Sequence, residues 1–263
     1  MQIIAHRGLT DKNPGNSMAA FEAAIKEGFT ALELDIQVCK TGEVVVFHNQ
    51  KVDGETNGSG KITKMTLDEI KALELEGGGK IPTLDEVCKM VAGRATIFLD
   101  PKSIEINGHG LKGTLDTINR AVEKHGFSYD QLPIVGQNHP FLFAAKRQNR
   151  SIEVGTSFYA VSQNIHPRLQ KVYSRFLIPQ AKRIGASIFN PNHMDLTPEL
   201  VKEAQKAGLK VSAWVVNEPK DIKRAIESGI DYIITDKPRD VARMLKVHPQ
   251  LQPQNKAAGG QGR

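Results

Sequence analysis

Cysteine is almost absent from this chain: Cys39 and Cys88 are the only two in 263 residues, and neither has a CxxC partner or a histidine cluster at zinc-finger spacing. That sets aside a disulfide scaffold, a cysteine-built zinc site and thiol chemistry. Aromatic residues make up 6% with a single tryptophan, and the basic residues are spread along the chain, so the interleaving of bases and rings that binds single-stranded nucleic acid is missing. No nucleic-acid partner is expected. No stretch approaches the roughly twenty apolar residues needed to cross a bilayer, so stable membrane insertion is not expected. The start, Met1-Gln2-Ile3-Ile4-Ala5-His6-Arg7, lacks the basic opening and longer apolar segment of a secretory signal, and a soluble, cytoplasmic protein is expected.

What is present is an ordinary core-forming composition, 40% apolar and 24% charged, with a net charge of +6. The positive balance favours phosphate-bearing partners by general steering, though it favours anionic lipid or nucleic acid equally and selects none. Short Val- and Ile-rich runs at 2–6, 31–37, 96–100, 132–136, 152–157, 186–190, 210–216 and 231–235 alternate with helix-like segments. Eight such βα units predict one α/β domain over residues 1–247, a (β/α)8 TIM barrel. Asn16 or Ser17 caps the helix that runs to Gly28; Thr197-Pro198 and Glu218-Pro219 open two others. A small insertion follows the second strand at about 43–82, with a run from Val44 to Phe47, a Gly-, Thr- and Asn-rich loop and a helical piece at Leu67 to Leu73. Residues 248–263, rich in Pro, Gln and Gly, read as a disordered tail.

The catalytic face of such a barrel is built from the carboxyl ends of its strands. His6-Arg7-Gly8 ends the first strand: an imidazole titrates near neutral pH and a guanidinium fork matches phosphate oxygens, the alternative being a structural His beside a surface Arg. In Glu33-Leu34-Asp35 the period of two sends both carboxylates to one face, where repulsion and desolvation are relieved most simply by a hard divalent cation. His48 follows four apolar residues, a setting more typical of a core histidine, and draws its weight from the other residues. Asp100 and Lys102 end the third strand. They offer a third metal ligand and a phosphate contact, unless Asp100 caps the next segment before Pro101. Trp214 offers an apolar wall for the alcohol part of a substrate; Asn217 reads as a helix cap, and Asp236 as a cap of the last helix or a residue of the mouth.

Taken together, His6-Arg7-Gly8, Asn16-Ser17, Glu33-Leu34-Asp35, His48-Asn49, Thr56-Asn57-Gly58-Ser59-Gly60, Ile81-Pro82-Thr83-Leu84, Trp214-Val215-Val216-Asn217 and Gly229 to Pro238 resemble the glycerophosphodiester phosphodiesterase family from Ile3 to about Val241. The resemblance implies cleavage of a small glycerophosphodiester to an alcohol and glycerol 3-phosphate with magnesium or calcium. His6 and His48 would then be the acid-base pair, Glu33 and Asp35 metal ligands, and Arg7 and Lys102 phosphate contacts. It also implies attack on phosphorus by the neighbouring hydroxyl, through a cyclic intermediate. Two positions depart from the family pattern: Gly15 stands where an acid is usual, and Asp100 where Glu is usual. The latter is similar to the sphingomyelinase D and lysophospholipase D branch, which leaves a lysolipid substrate as an alternative. A non-catalytic phosphoester-binding protein is a second alternative, but such a protein would have lost one of His6, His48, Glu33 or Asp35, and all four are present. Oligomeric state is left open.

Overall fold

A computed structural model describes residues 1–102, 109–160 and 167–247; the expected tail at 248–263 lies outside the described residues. Nine strands form in chain order: β1 (Gln2–His6), β2 (Ala31–Val38), β3 (Val44–Val46), β4 (Thr96–Pro101), β5 (Ile134–Gly136), β6 (Val154–Phe158), β7 (Ile188–Pro191), β8 (Lys210–Ala213) and β9 (Tyr232–Thr235). All but β3 pair in parallel around a ring. It closes where β1 joins β2 through Ala5–Leu32 and His6–Glu33, and joins β9 through Gln2–Tyr232 to Ala5–Thr235. The architecture is the (β/α)8 barrel expected from the sequence, with β3 lying antiparallel to β2 outside the ring.

Alternation along the strands sorts the side chains into two layers. Leu32, Leu34 and Ile36 of β2 pack outward with Phe21 of α1 (Met18–Lys26) and with Leu84 and Val87 of α3 (Leu84–Val91). Inward, Ile4, Ala31, Phe98, Val135, Ile188 and Ile234 fill the barrel. Phe98 meets Tyr232 edge-on at 5.3 Å although β4 and β9 are not neighbours in the sheet, so this contact spans the lumen. The barrel is therefore a plugged core.

The helix starts follow local chemistry. Ser17, rather than Asn16, caps α1 by accepting from the Ala20 amide at 3.2 Å, which frees Asn16 for another task. Thr83 and Glu86 form a reciprocal capping box that fixes α3. After α2 (Leu67–Ala72) and α3 come α4 (His109–His125), α5 (His139–Gln148), α6 (Pro167–Ile184), α7 (Pro198–Lys206), α8 (Pro219–Glu227) and α9 (Pro238–Val247). The strand expected at 210–216 ends at Ala213, beyond which the chain turns across the barrel mouth toward α8.

The insertion holds its own small core. Val45, Phe47, Val52, Ile62, Ile70, Leu75 and Ile81 cluster apart from the main core, with Met65, Leu67 and Leu73 packed against them. The apolar residues spaced helically in this segment are thus spent on internal packing rather than on an open lipid groove. Among the described residues no helix is long and apolar enough to cross a membrane.

Candidate active site

His6, Arg7, Glu33, His48, Asp100, Lys102 and Trp214 line one cavity of about 110 Å³ at the upper end of the barrel. Asp35, wholly buried, stands behind them in ion pairs: Arg7 Nε lies 2.9 Å from Oδ2 and Lys102 Nζ 3.3 Å from Oδ1. All eight residues singled out from the sequence therefore meet at one place.

Backbone strain helps to hold them. Arg7 and Asn16 both have left-handed φ, at 57° and 60°, a conformation costing about 1–2 kcal/mol for a residue with a side chain. Arg7 is fixed there by its amide, which donates to the Glu33 carbonyl at 2.9 Å, and by its carbonyl, which accepts from the Asn16 amide at 3.0 Å. Gly8 is required next: a Cβ at this residue would fall 2.6 Å from the Ala20 carbonyl carbon. Such strain is typical of functional sites.

Glu33, Asp35 and Asp100 each bring one oxygen within 4.8 Å of the others. Burial and the charge of Asp35 push the Glu33 carboxyl up to about 8. Burial also raises Asp100, with Lys102 opposing only in part. Asp35 goes the other way: burial would raise it, but the charges of Arg7 and Lys102 and a hydrogen bond from Asn16 hold it low. Asn16 donates Nδ2 to Asp35 Oδ2 at 2.7 Å and accepts the Asp35 amide at 3.2 Å. Lys102 is held above its usual range because Asp100 and Asp35 outweigh its burial. Two buried carboxyl groups and a partly buried third face only two cations, so the cluster is short of positive charge. Asp35 Oδ1 moreover accepts no well-formed hydrogen bond. Such an all-oxygen donor set fits a hard divalent cation.

The two histidines carry matching supports. His6 Nδ1 lies 2.6 Å from Asp236 Oδ1, and its Nε2 is 3.7 Å from Glu33 Oε2. Asp236 is itself fixed by Asn217, which donates Nδ2 to its Oδ2 at 2.7 Å and accepts its amide at 2.9 Å. Burial would raise the Asp236 carboxyl, but the hydrogen bond and charge of His6 outweigh it and hold it low. A carboxylate can only accept, so the proton of neutral His6 sits on Nδ1 and Nε2 serves the cavity. Burial would lower His6; Glu33 and Asp236 overcome it and hold the imidazole above its usual value. His48 repeats the pattern with a neutral partner: its Nδ1 lies 2.8 Å from Asn49 Oδ1, while Asn49 Nδ2 donates to Glu55 of the insertion.

One sequence reading is narrowed here and another corrected. Asp236 orients His6, and Asn217 holds Asp236 instead of capping α8, whose N-cap is Glu218. Barrel closure would have revealed the pair, since it sets the end of β9 beside the end of β1. Trp214 lines the cavity as expected, its indole N–H donating to the Asn190 carbonyl at 3.0 Å. Gly15 packs against Arg7: a Cβ there would lie 3.2 Å from Arg7 Cβ.

The fold and the sequence both recur in known proteins. The sequence profile of the Glycerophosphoryl diester phosphodiesterase family matches residues 6–240. The chain belongs to that family, a family of phosphoric diester hydrolases. A glycerophosphodiester phosphodiesterase of Caldanaerobacter subterraneus subsp. tengcongensis is 30% identical over 254 residues, 93% of this chain and 97% of the relative. Among solved structures of the family fold, an Oleispira antarctica phosphodiesterase in complex with its product sn-glycerol-3-phosphate matches with a TM-score of 0.76 at 23% identity, covering 94% of this chain and 97% of that one. A glycerophosphodiester phosphodiesterase from Parabacteroides distasonis also matches with a TM-score of 0.76, at 22% identity and 95% and 98% coverage.

Proposed function

We propose that this chain hydrolyses glycerophosphodiesters to an alcohol and glycerol 3-phosphate, with His6 and His48 exchanging the protons. The observation that carries the reading is the convergence, in one cavity, of two imidazoles with a three-carboxylate cluster and two basic side chains. Both imidazoles have Nδ1 engaged by an acceptor, which leaves each Nε2 for the reaction. The Oleispira antarctica phosphodiesterase, bound to sn-glycerol-3-phosphate as product, supports the same chemistry here.

The substrate phosphate would lie between the histidines, its non-bridging oxygens met by Arg7 and Lys102. A divalent cation, magnesium or calcium, held by Glu33, Asp35 and Asp100, would add positive charge where negative charge gathers on the phosphate oxygens. His48 takes the proton of the glycerol hydroxyl beside the ester as that oxygen bonds to phosphorus. His6, held above its usual value by Glu33 and Asp236, gives its proton to the departing alcohol as the phosphorus–oxygen bond breaks. His6 then accepts a proton from water, whose oxygen opens the cyclic phosphate, and His48 returns the first proton to the released hydroxyl. Glycerol 3-phosphate remains, and both histidines end as they began.

The test is direct. Chelator-stripped protein, re-supplied with magnesium or calcium, should release glycerol 3-phosphate from glycerophosphocholine and glycerophosphoethanolamine, and the stripped protein should not. Hydrolysis that survives chelation removes the cation from the scheme, and no release with either metal removes the activity.

A further inference from the structure

His6 and His48 reach the cavity on unlike supports. His6 ends β1 and stands in register with Glu33 of β2, so closure of the barrel fixes its backbone. His48 lies past the end of β3, where the chain bends through residues 48–50 with neither helix nor strand. The pairing of this segment with β2 reaches as far as the Phe47 amide, which donates to the Asp35 carbonyl at 2.9 Å. Beyond it, among the described residues, no main-chain group bonds the backbone of His48 or Asn49.

One side chain takes over there. Gln37 follows Glu33 and Asp35 at the period of two along β2, and it is fully buried. Its Nε2 donates to the Phe47 carbonyl at 2.8 Å and to the Asn49 carbonyl at 2.7 Å, the two carbonyls that bracket His48. The acceptors fix which way the amide points, because two carbonyl oxygens can be met only by its NH2 end. Its Oε1 is buried without a hydrogen-bond partner. An unpartnered buried oxygen disfavours the folded state, so the two bonds beside His48 are kept at some loss of stability. Gln37 does not line the cavity, which leaves it no direct part in the reaction.

We propose that Gln37 is the positioning residue for His48: it holds the chain on both sides of the imidazole and fixes Asn49, whose Oδ1 in turn engages His48 Nδ1. This rests on His48 exchanging protons as described above. Without the bracket the residues beyond Phe47 lose their anchor to the barrel, and Nε2 leaves its line to the reacting oxygen. A reacting group misplaced by about 1 Å can lower a rate about a hundredfold. Arg7, Lys102, Asp35 and Asp100 are held by one another, so metal and phosphate binding survive the change. The loss therefore falls on kcat and spares KM.

The experiment is a double-mutant cycle on the full chain with calcium present: wild type, Gln37→Met, His48→Ala and the two combined. Each is assayed for kcat and KM on glycerophosphocholine and for calcium affinity by calorimetry, and the His48 ring is followed by NMR of protein labelled with 15N-histidine. Methionine is close to glutamine in length but donates no hydrogen bond. Gln37→Met should lower kcat about 10–100-fold with KM and calcium affinity within about threefold. Added to His48→Ala it should change the residual kcat by less than about twofold, since a residue that acts through His48 then has nothing to position. The His48 ring signals, sharp in wild type, should broaden or split in Gln37→Met. If Gln37→Met loses the native circular dichroism, Gln37→Asn, whose amide is one methylene too short to reach both carbonyls, should show the same non-additive loss. Equal losses of kcat with and without His48, a loss confined to KM or calcium affinity, or unchanged kcat and ring signals would overturn the proposal. A wild type without turnover, whose His48 signals still lose their order in Gln37→Met, would keep the bracket and defeat the hydrolase reading.

Discussion

The barrel mouth has two unlike halves. From β9 through β1 and β2 to β4 it carries Asp236, His6, Glu33, Asp35, Asp100 and Lys102, a dense array of charge joined by ion pairs. From β5 to β8 it carries an amide, a hydroxyl, a second amide and an indole. The plug beneath is common to both, with Phe98 and Val135 below the two sides. The difference shows how one scaffold can gather its charge on one side of a cavity. Charges that must be desolvated support one another on adjacent strands, whereas neutral hydrogen-bonding groups cost less to bury and need no such company.

Three changes would break or sharpen this division. The largest effect is expected from Asp236→Asn. It preserves shape but removes one of the two carboxylates that raise His6, so kcat should fall about 10–100-fold and the alkaline limb of the pH–rate profile, set by the proton His6 donates, should move to lower pH. An unshifted profile would make Asp236 a bystander. Next is Gly136→Ala, at the seam between the halves. A methyl group there would fall 2.7 Å from Asp100 Oδ1 and 3.0 Å from the rigid Pro101 Cδ, displacing the Asp100 carboxyl group. Calcium affinity by calorimetry should drop about tenfold, while unchanged affinity would show Asp100 to be free of the metal.

The smallest effect concerns stability without metal. Glu33 has a folded value of about 8, above its ordinary 4.5. A carboxyl raised in this way stabilises the fold fully below about 4.5 and loses that contribution as pH rises through about 8. His6 and Asp100, also raised, act in the same direction. Chelator-treated protein should therefore melt about 2–4 °C lower at pH 8 than at pH 5, and Glu33→Gln should flatten the trend. A melting temperature that rises over this interval would contradict the charge balance described for the cluster.

Much of the charged half was legible in the sequence, because a period of two and a strand end suffice to aim Glu33, Asp35, Asp100 and His6 inward. The neutral half was not. Ser157 and Asn190 are ordinary residues in short strands, and only the register of β6 with β7 brings them together. Asn16 and Asn217 were read as caps, and Asp236 as a cap or a residue of the mouth, since small polar residues beside helices look locally like caps while their partners lie 19 to 230 residues away in sequence. The insertion was read from its Gly-, Thr- and Asn-rich loop, while its separate core depends on contacts that no local pattern announces.

The central claim is that two imidazoles on either side of one phosphate carry the protons. Steady-state hydrolysis of glycerophosphocholine by His6→Ala and His48→Ala, each with circular dichroism and calcium binding in hand, tests it most directly. Both variants should fold and bind metal yet lose at least about a hundredfold in kcat. Near wild-type turnover in either would contradict the account.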